Sequence, residues 1–314
     1  MKIMLTSAGK RVQLIKHLRL DNIIVGVDCS EMVAGKFFLD IFYKVPSFES
    51  SDYIKRIIEI IKIEKIDMLI PLHEGEFEIL CNYRKEILDS GAILLLSDDK
   101  VLQVFEDKLK SYEFFVQHDI STPKTYCSKT LVNNQIEYPV IIKPKKGMGS
   151  KGVAKITTKE ELDFFIKHQE DSIIQEFISG TEYTIDVLCD LEGDIITVVP
   201  RERLEIRDGE VSKSKTIKHP KIIKAVIEMA QKINETLGAM RGPMTFQCIV
   251  ENSEDIKFIE VNPRFGGGVP LTFEAGINYS LILNMIKNNE LVPEHMREFD
   301  EITMIRFDDA IFCR

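Results

Sequence analysis

The chain has no CxxC pair. Its six cysteines, Cys29, Cys81, Cys127, Cys189, Cys248 and Cys313, are scattered over 314 residues. That spacing leaves no CxxC-based metal site and points to reduced, mostly buried thiols in a cytosolic protein. The six histidines are equally dispersed, so they offer no zinc signature. Long hydrophobic runs are missing too. Near the N-terminus only Ile3 to Leu5 is apolar before Lys10 and Arg11, too short for a signal peptide or a membrane span. Positive charge is not in excess: the net charge is −9. This excludes a general nucleic-acid or membrane binder, so any anionic ligand must be met by locally placed Lys and Arg. Internal repeats and low-complexity tracts are absent.

What is present is a soluble globular composition, 44% hydrophobic and 29% charged, long enough for two or three domains. Lys2 to Thr6 reads as a strand, Ser7 to Gly9 as a turn, Lys10 to Leu20 as a helix, and Ile23 to Val27 as a second strand ending in Asp28. This opens a parallel α/β sheet. An acid after the second strand resembles a ribose-binding residue, but SAGKRV carries only Gly9 and the GxGxxG fingerprint is missing. The expectation is a sheet that carries part of a substrate pocket at its strand ends. A helix from Asp52 to Lys65 has Ile54, Ile57, Ile58 and Ile61 on one face. Asp67 to Ile70 is a strand, followed by His73, Glu74 and Glu76, which we expect to be solvated loop residues. Ile93 to Leu96 is another strand. Asp99 to His118 reads as one helix that includes Lys108.

Tyr138 to Lys143 is a β-rich run, followed by PKKGMGSKGV. Gly147, Gly149 and Gly152 alternate there with Lys145, Lys146, Ser150 and Lys151. Such a loop can wrap phosphates with backbone N–H groups and ammonium charge, although it is not a Walker A loop. A mobile surface loop has the same composition. Thr158 and Glu161 fit a capping box for a helix to His168. Ile173 to Phe177, IIQEF, is a strand that includes Gln175, and the backbone of Glu176 and Phe177 could pair with an adenine edge. Glu182 could accept bonds from ribose hydroxyls. Arg201, Arg203, Arg207, Lys213 and Lys215 crowd one short span, either converging on an anion or forming a solvated polar strand. Ile222 to Leu237 is a core helix with Gly238 as its stop.

The most informative stretch is MTFQCIVENSEDIKFIEVNPRFGGG, Met244 to Gly268. It reads as two strands, Met244 to Val250 and Ile256 to Asn262, around a turn of Asn252, Ser253 and Asp255. Glu260 and Asn262 share a face. With Val250 opposite Lys257, Gln247 falls opposite Glu260. Three oxygen-bearing side chains then converge, a set suited to Mg²⁺ shared with substrate phosphates. Arg264 follows, placed to reach an anion. Ile277 to Asn289 is a further helix.

In this order the pieces resemble the ATP-grasp superfamily, most closely one synthetase unit of the carbamoyl-phosphate synthase large subunit. FQCIVENSEDIKFIEVNPR carries the resemblance best, then YPVIIKPKKGMGSKGV and IIQEFISGTEYTIDV. The resemblance implies an α/β (α+β) chain, with a Rossmann-like pre-ATP-grasp domain followed by an ATP-grasp fold of two α+β subdomains. The divisions would be 1–97, 98–178 with the glycine-rich loop, and 179–314 with the metal site. It implies Lys108, Lys143, Lys145, Gly147, Gly149, Ser150, Gln175, Glu176, Phe177 and Glu182 as nucleotide contacts. Gln247, Glu260 and Asn262 become metal ligands, and Arg264 with Asn262 the groups at the transferring phosphoryl. The cofactors would be ATP and Mg²⁺, with Mn²⁺ an acceptable substitute. The implied reaction is ADP-forming ligation of a small carboxylate to an amine, or to a thiol, through an acylphosphate. A small-molecule kinase and a nucleotide-binding subunit without ligase activity are the alternatives. Neither nucleic acid nor membrane is an expected partner, and a homodimer is compatible. One unit, and a Gly266 to Gly268 run without serine, depart from the carbamoyl-phosphate enzyme, so a stand-alone ligase is expected.

Overall fold

The computed structural model describes residues 1–131, 136–147, 149, 151–169, 171–207, 209–252 and 255–313. Ser150 and Ser253, singled out above, lie outside the described residues.

The first sheet is parallel, with strands β1 (Lys2–Thr6), β2 (Ile23–Asp28), β3 (Ile41–Lys44), β4 (Met68–Pro71) and β5 (Ile93–Leu94) in the order β3-β2-β1-β4-β5. Helices α1 (Val12–Leu18), α2 (Tyr53–Glu64), α3 (Phe77–Asn82) and α4 (Arg84–Asp89) cover it. α1 starts later than expected because Ser7 adopts a left-handed conformation and a 3-10 turn, Ala8–Lys10, precedes it. In α2 the buried stripe is Ile54, Ile57, Ile60 and Ile61, with Ile58 only partly covered. β3, α3 and α4 were not expected from sequence.

The segment expected as one helix from Asp99 to His118 is two: α5 (Asp99–Phe105) and α6 (Lys108–Gln117). Asp107 breaks it. Its Oδ1 accepts from the N–H groups of Leu109 at 2.8 Å and Lys110 at 3.3 Å, which caps α6 and makes Lys108 the first helical residue. The four-stranded sheet β6-β9-β7-β8 follows, from β6 (Thr125–Cys127), β7 (Val140–Pro144), β8 (Ala154–Ile156) and β9 (Ser172–Glu176), with α7 (Lys159–His168) packed on it. Thr158 caps α7 through the Glu161 N–H, while Glu161 accepts from the Thr157 N–H.

The third sheet is antiparallel and six-stranded, in the order β14-β13-β10-β11-β12-β15. It comprises β10 (Thr181–Cys189), β11 (Ile195–Arg207), β12 (Glu210–Thr216), β13 (Gly242–Glu251), β14 (Asp255–Asn262) and β15 (Thr303–Ile305), with helices α8 (Pro220–Leu237), α9 (Pro270–Glu274) and α10 (Tyr279–Lys287). Alternation divides its faces. Tyr183, Ile185 and Val187 of β10, with Met244, Phe246 and Cys248 of β13, pack against α5, α6 and α8. Thr184, Thr245 and Gln247 point to the opposite, open side. A further core joins the first sheet to the chain's end: Ile3, Leu5, Leu14 and Leu18 pack with Phe265, Tyr279, Ile282 and Leu283. This shared apolar core fixes the strand ends of the first sheet against the glycine run that follows β14.

Candidate active site

The register of the β13–β14 hairpin differs from the expected one in an instructive way. Val250 pairs with Ile256, not Lys257, and Cys248 pairs with Phe258. Gln247 nevertheless faces Glu260, because a bulge at Ile259 inserts one residue between these pairs. Strict alternation would put Phe258 and Glu260 on one face, and Phe258 is in the core. The bulge resets the period, so Glu260 and Asn262 turn out of the core while Val261 turns in.

Glu260 and Gln247 line two adjoining compartments. The first, of about 280 Å³, lies between the four-stranded sheet and the six-stranded sheet. Lys108, Lys143, Gly147, Gly149, Gln175, Glu176, Phe177 and Glu182 all reach it. Each arrives by local geometry. Lys108 starts α6, and its Nζ donates to Gly147 O at 2.9 Å and lies 3.5 Å from Glu260 Oε1. Lys143 is buried near the end of β7, and burial pushes its ammonium down to about 8, with Glu260 opposing and Lys108 adding to the fall. Gln175 is held by a bond from its Nε2 to Thr125 Oγ1 at 2.9 Å. The Glu176 N–H donates to Lys124 O, so it is already committed. Glu182 is likewise engaged, with Arg203 Nη1 at 2.6 Å. Lys145 departs from expectation: its Nζ pairs with Asp171 at 3.3 Å and does not line the compartment. Lys146, Lys151, Ile141, Ile206 and Ile249 do line it.

The second compartment, of about 200 Å³, shares Gly149, Arg203, Gln247 and Glu260 with the first. It adds Asn262, Arg264, Gly266 to Gly268 and, from the first sheet's side, Arg11. Arg264 Nε donates to Glu74 Oε1 at 2.7 Å, so Glu74 is not the solvated residue expected. Glu76 is 2% exposed and accepts from Thr6, Ser7 and Tyr53 hydroxyls; burial holds its carboxyl above the ordinary range. It fills the crevice between β1 and β4, where an open parallel sheet would take a ligand. Asp28, the last residue of β2, accepts from the Gly9 N–H at 3.1 Å, so this acid is used to hold the turn that follows β1.

The basic stretch from Arg201 to Lys215 does not converge as a group. Arg201 is buried and pairs with Asp186 at 2.7 Å, whereas Arg207 and Lys213 pair on the surface with Asp308 and Glu205. Only Arg201 and Arg203 face the second compartment. Sequence reasoning missed Arg11 and Glu210 as lining residues, and it named Arg201 and Arg203 only within a basic cluster whose role it left open between an anion site and a solvated strand. The signal for Arg11 was its place in the loop after the first strand; for Arg201 and Arg203 it was alternation along β11, whereas Glu210 opens β12 and carried no local signal.

Among the described residues no three His, Cys, Asp or Glu side chains group around one point. Glu260, Gln247 and Asn262 supply one carboxylate and two amide oxygens. That hard-oxygen set fits Mg²⁺ only where phosphate oxygens complete the shell.

Residues 105–268 match the ATP-grasp domain family, and residues 3–95 match the family described as PylC-like, N-terminal domain. The chain is 24% identical over 289 residues to the carbamoyl phosphate synthase large chain of Campylobacter jejuni, covering 87% of this chain but 26% of that one. It is 26% identical over 203 residues to the D-alanine–D-alanine ligase of Petrotoga mobilis, covering 59% and 67%. The biotin carboxylase domain of Hydrogenobacter thermophilus 2-oxoglutarate carboxylase, solved with MgADP, ADP and bicarbonate, superposes with a TM-score of 0.71 at 17% identity. That likeness covers 94% of this chain and 72% of that one. With its ATP-grasp match spanning more than half its length, and the hairpin, glycine-rich loop and paired lysines all inside the match, the chain belongs to the ATP-grasp family.

Proposed function

We propose that this protein is an ATP-dependent, ADP-forming ligase that activates a small carboxylate as an acylphosphate and passes it to an amine. The observation that carries the reading is the convergence of Lys108, Lys143, Gln247 and Glu260 on one compartment that opens into a second, arginine-lined one. The first would hold the nucleotide. Phe177 and Ile249 offer apolar walls for a base, Glu182 a carboxylate for ribose hydroxyls, and Lys108 and Lys143 charge for the phosphates. Gly147 and Gly149 take positive φ of 126 and 69 degrees, with no atom close to where a Cβ would stand. That leaves backbone free to approach the phosphates. The second compartment would hold the carboxylate, with the shared residues Gln247 and Glu260 at the junction.

Glu260, Gln247 and Asn262 would hold Mg²⁺, which neutralises phosphate charge when bound. The chain's own work is positioning. A carboxylate oxygen attacks the γ-phosphorus in line, and the bond to the β,γ-bridging oxygen breaks with ADP leaving. The substrate carboxylate is already ionised at neutral pH, so this step needs no base. Arg264, two residues past β14 and braced by Glu74, would reach the transferring group. Amine attack on the acyl carbon then expels phosphate, and the amine loses a proton.

The same reading keeps 1–97, 98–178 and 179–314 as the functional divisions. The six cysteines are unbridged, and no helix among the described residues is long and apolar enough to cross a membrane; both support a cytoplasmic setting. The test is Glu260→Gln. ADP release, measured with a panel of acids and amines, should fall at least about a hundredfold, with an unchanged circular dichroism spectrum. Turnover equal to wild type would defeat the assignment.

A further inference from the structure

The second compartment has an uneven charge ledger. Four of its arginines or immediate neighbours have a carboxylate each: Arg264 with Glu74 at 2.7 Å, Arg203 with Glu182 at 2.6 Å, Arg201 with Asp186 at 2.7 Å, and Arg306 with Glu210 at 3.1 Å. Arg11 has none. Among the described residues its half-buried guanidinium makes no hydrogen bond or ion pair, although Arg264, Arg306, Glu74 and Glu210 are close enough to act on its charge. Arg201 adds a second unsatisfied donor. Its Nε and Nη2 grip Asp186, but Nη1 is buried without a partner. That nitrogen lies under Gly268, where a Cβ would come within 2.2 Å of it. A buried, unpaired guanidinium nitrogen and a bare arginine on one small compartment call for an anion with more than one acceptor.

Arg306 gives Glu210 a partner other than Arg11. It follows β15, which the chain's end adds to the edge of β12. Its Nη1 donates to Glu210 and its Nη2 to Gly267 O at 2.6 Å. Glu210 borders Gly267 in the same compartment. Were Arg306 absent, Glu210 would be the natural partner of Arg11.

We propose that Arg11, on the compartment that Arg201 also lines, anchors a carboxylate of the acceptor, and that Arg306 keeps the subsite open by holding Glu210 away. A volume of about 200 Å³ has room for a small mono- or dicarboxylate or an amino acid. The role as acceptor rests on the ligase reading; the anion site itself does not. Arg11 and Arg306 are positioning and specificity residues supplied by opposite ends of the chain.

The experiment is calorimetric titration of the full chain, first with MgADP and then, in its presence, with amino acids and small carboxylates, each paired with its carboxamide. At least one carboxylate should bind, its carboxamide about tenfold more weakly or worse. Arg11→Gln should lose about tenfold or more, and Arg11→Lys should recover part of the loss. Arg306→Gln should weaken binding too, and adding Glu210→Gln to it should restore binding, which a purely structural role for Arg306 would not give. No binding by any panel carboxylate, equal binding of acid and amide, or equal binding by Arg11→Gln overturns the proposal. Failure of MgADP to bind the wild type instead sinks the nucleotide reading, and the carboxylate titration without nucleotide still decides the anchor.

Discussion

Replacing Lys143 by Met separates what the site does for the nucleotide from what it costs the fold. Lys143 is 9% exposed, and burial lowers its pKa from 10.5 to about 8. That difference corresponds to roughly 3 kcal/mol by which the empty folded protein resists the charge at neutral pH. The folded value lies below the unfolded one. Below about pH 8 both states carry the proton and the full penalty applies. Between about 8 and 10.5 the unfolded chain holds the proton and the folded chain does not, so stability rises with pH. Above 10.5 neither state holds it and the penalty is gone. Methionine has nearly the same length without the charge, so Lys143→Met should melt several degrees higher than wild type at pH 7. The advantage should shrink through pH 8 to 10.5. MgATP affinity should move the opposite way, falling about ten- to a hundredfold for the loss of one charge-assisted phosphate contact. In the wild type, affinity should itself decline as pH rises past about 8. Differential scanning fluorimetry across pH, with and without nucleotide, measures both. A variant no more stable than wild type at pH 7 would refute the buried-charge account, and unchanged MgATP affinity would refute the phosphate contact.

Two further substitutions test how the site is supported. Gly268→Ala puts a methyl 2.2 Å from Arg201 Nη1, and the guanidinium can move only by disturbing its buried pair with Asp186. A loss of about 3 kcal/mol or more is expected, seen as a clear drop in melting temperature; an alanine variant that melts like wild type would contradict the packing described. Asp107→Ala removes the cap of α6, with an expected cost of about 1 kcal/mol. Because Lys108 is the next residue, MgADP affinity should fall along with stability, and a change in stability alone would show that the cap does not position Lys108.

Much of the candidate site was legible in order along the chain because its signals are local. Glycines with lysines after a β-run, an alternating hairpin with Glu260 and Asn262, and a capping box at Thr158 each declare themselves within a few residues. The first strand, α7 and α8 follow from periodicity and caps for the same reason. Register was harder. The bulge at Ile259 leaves no local sign, since its cause is Phe258 entering a core built with α5, α6 and α8. The break at Asp107 was hidden by a helical pattern running through it, although Asp is a common cap.

Sequence by itself determined the family resemblance, the more apolar strand-forming runs and the set of lysines and oxygen donors, because those depend on residue type and near spacing; the short edge strands β3, β6 and β15 did not declare themselves. Only the tertiary structure decided which charges remain available. Glu76, Glu182, Lys145 and Arg201 look alike as loose ionic residues in the sequence, yet each is paired or hydrogen-bonded by a partner at least 15 residues away. Arg11 and Arg306 stand at opposite ends of the chain and border one compartment. Pairing is a matter of distance in space, and the unpaired charge of Arg11 appears only once every other arginine around it has found its carboxylate.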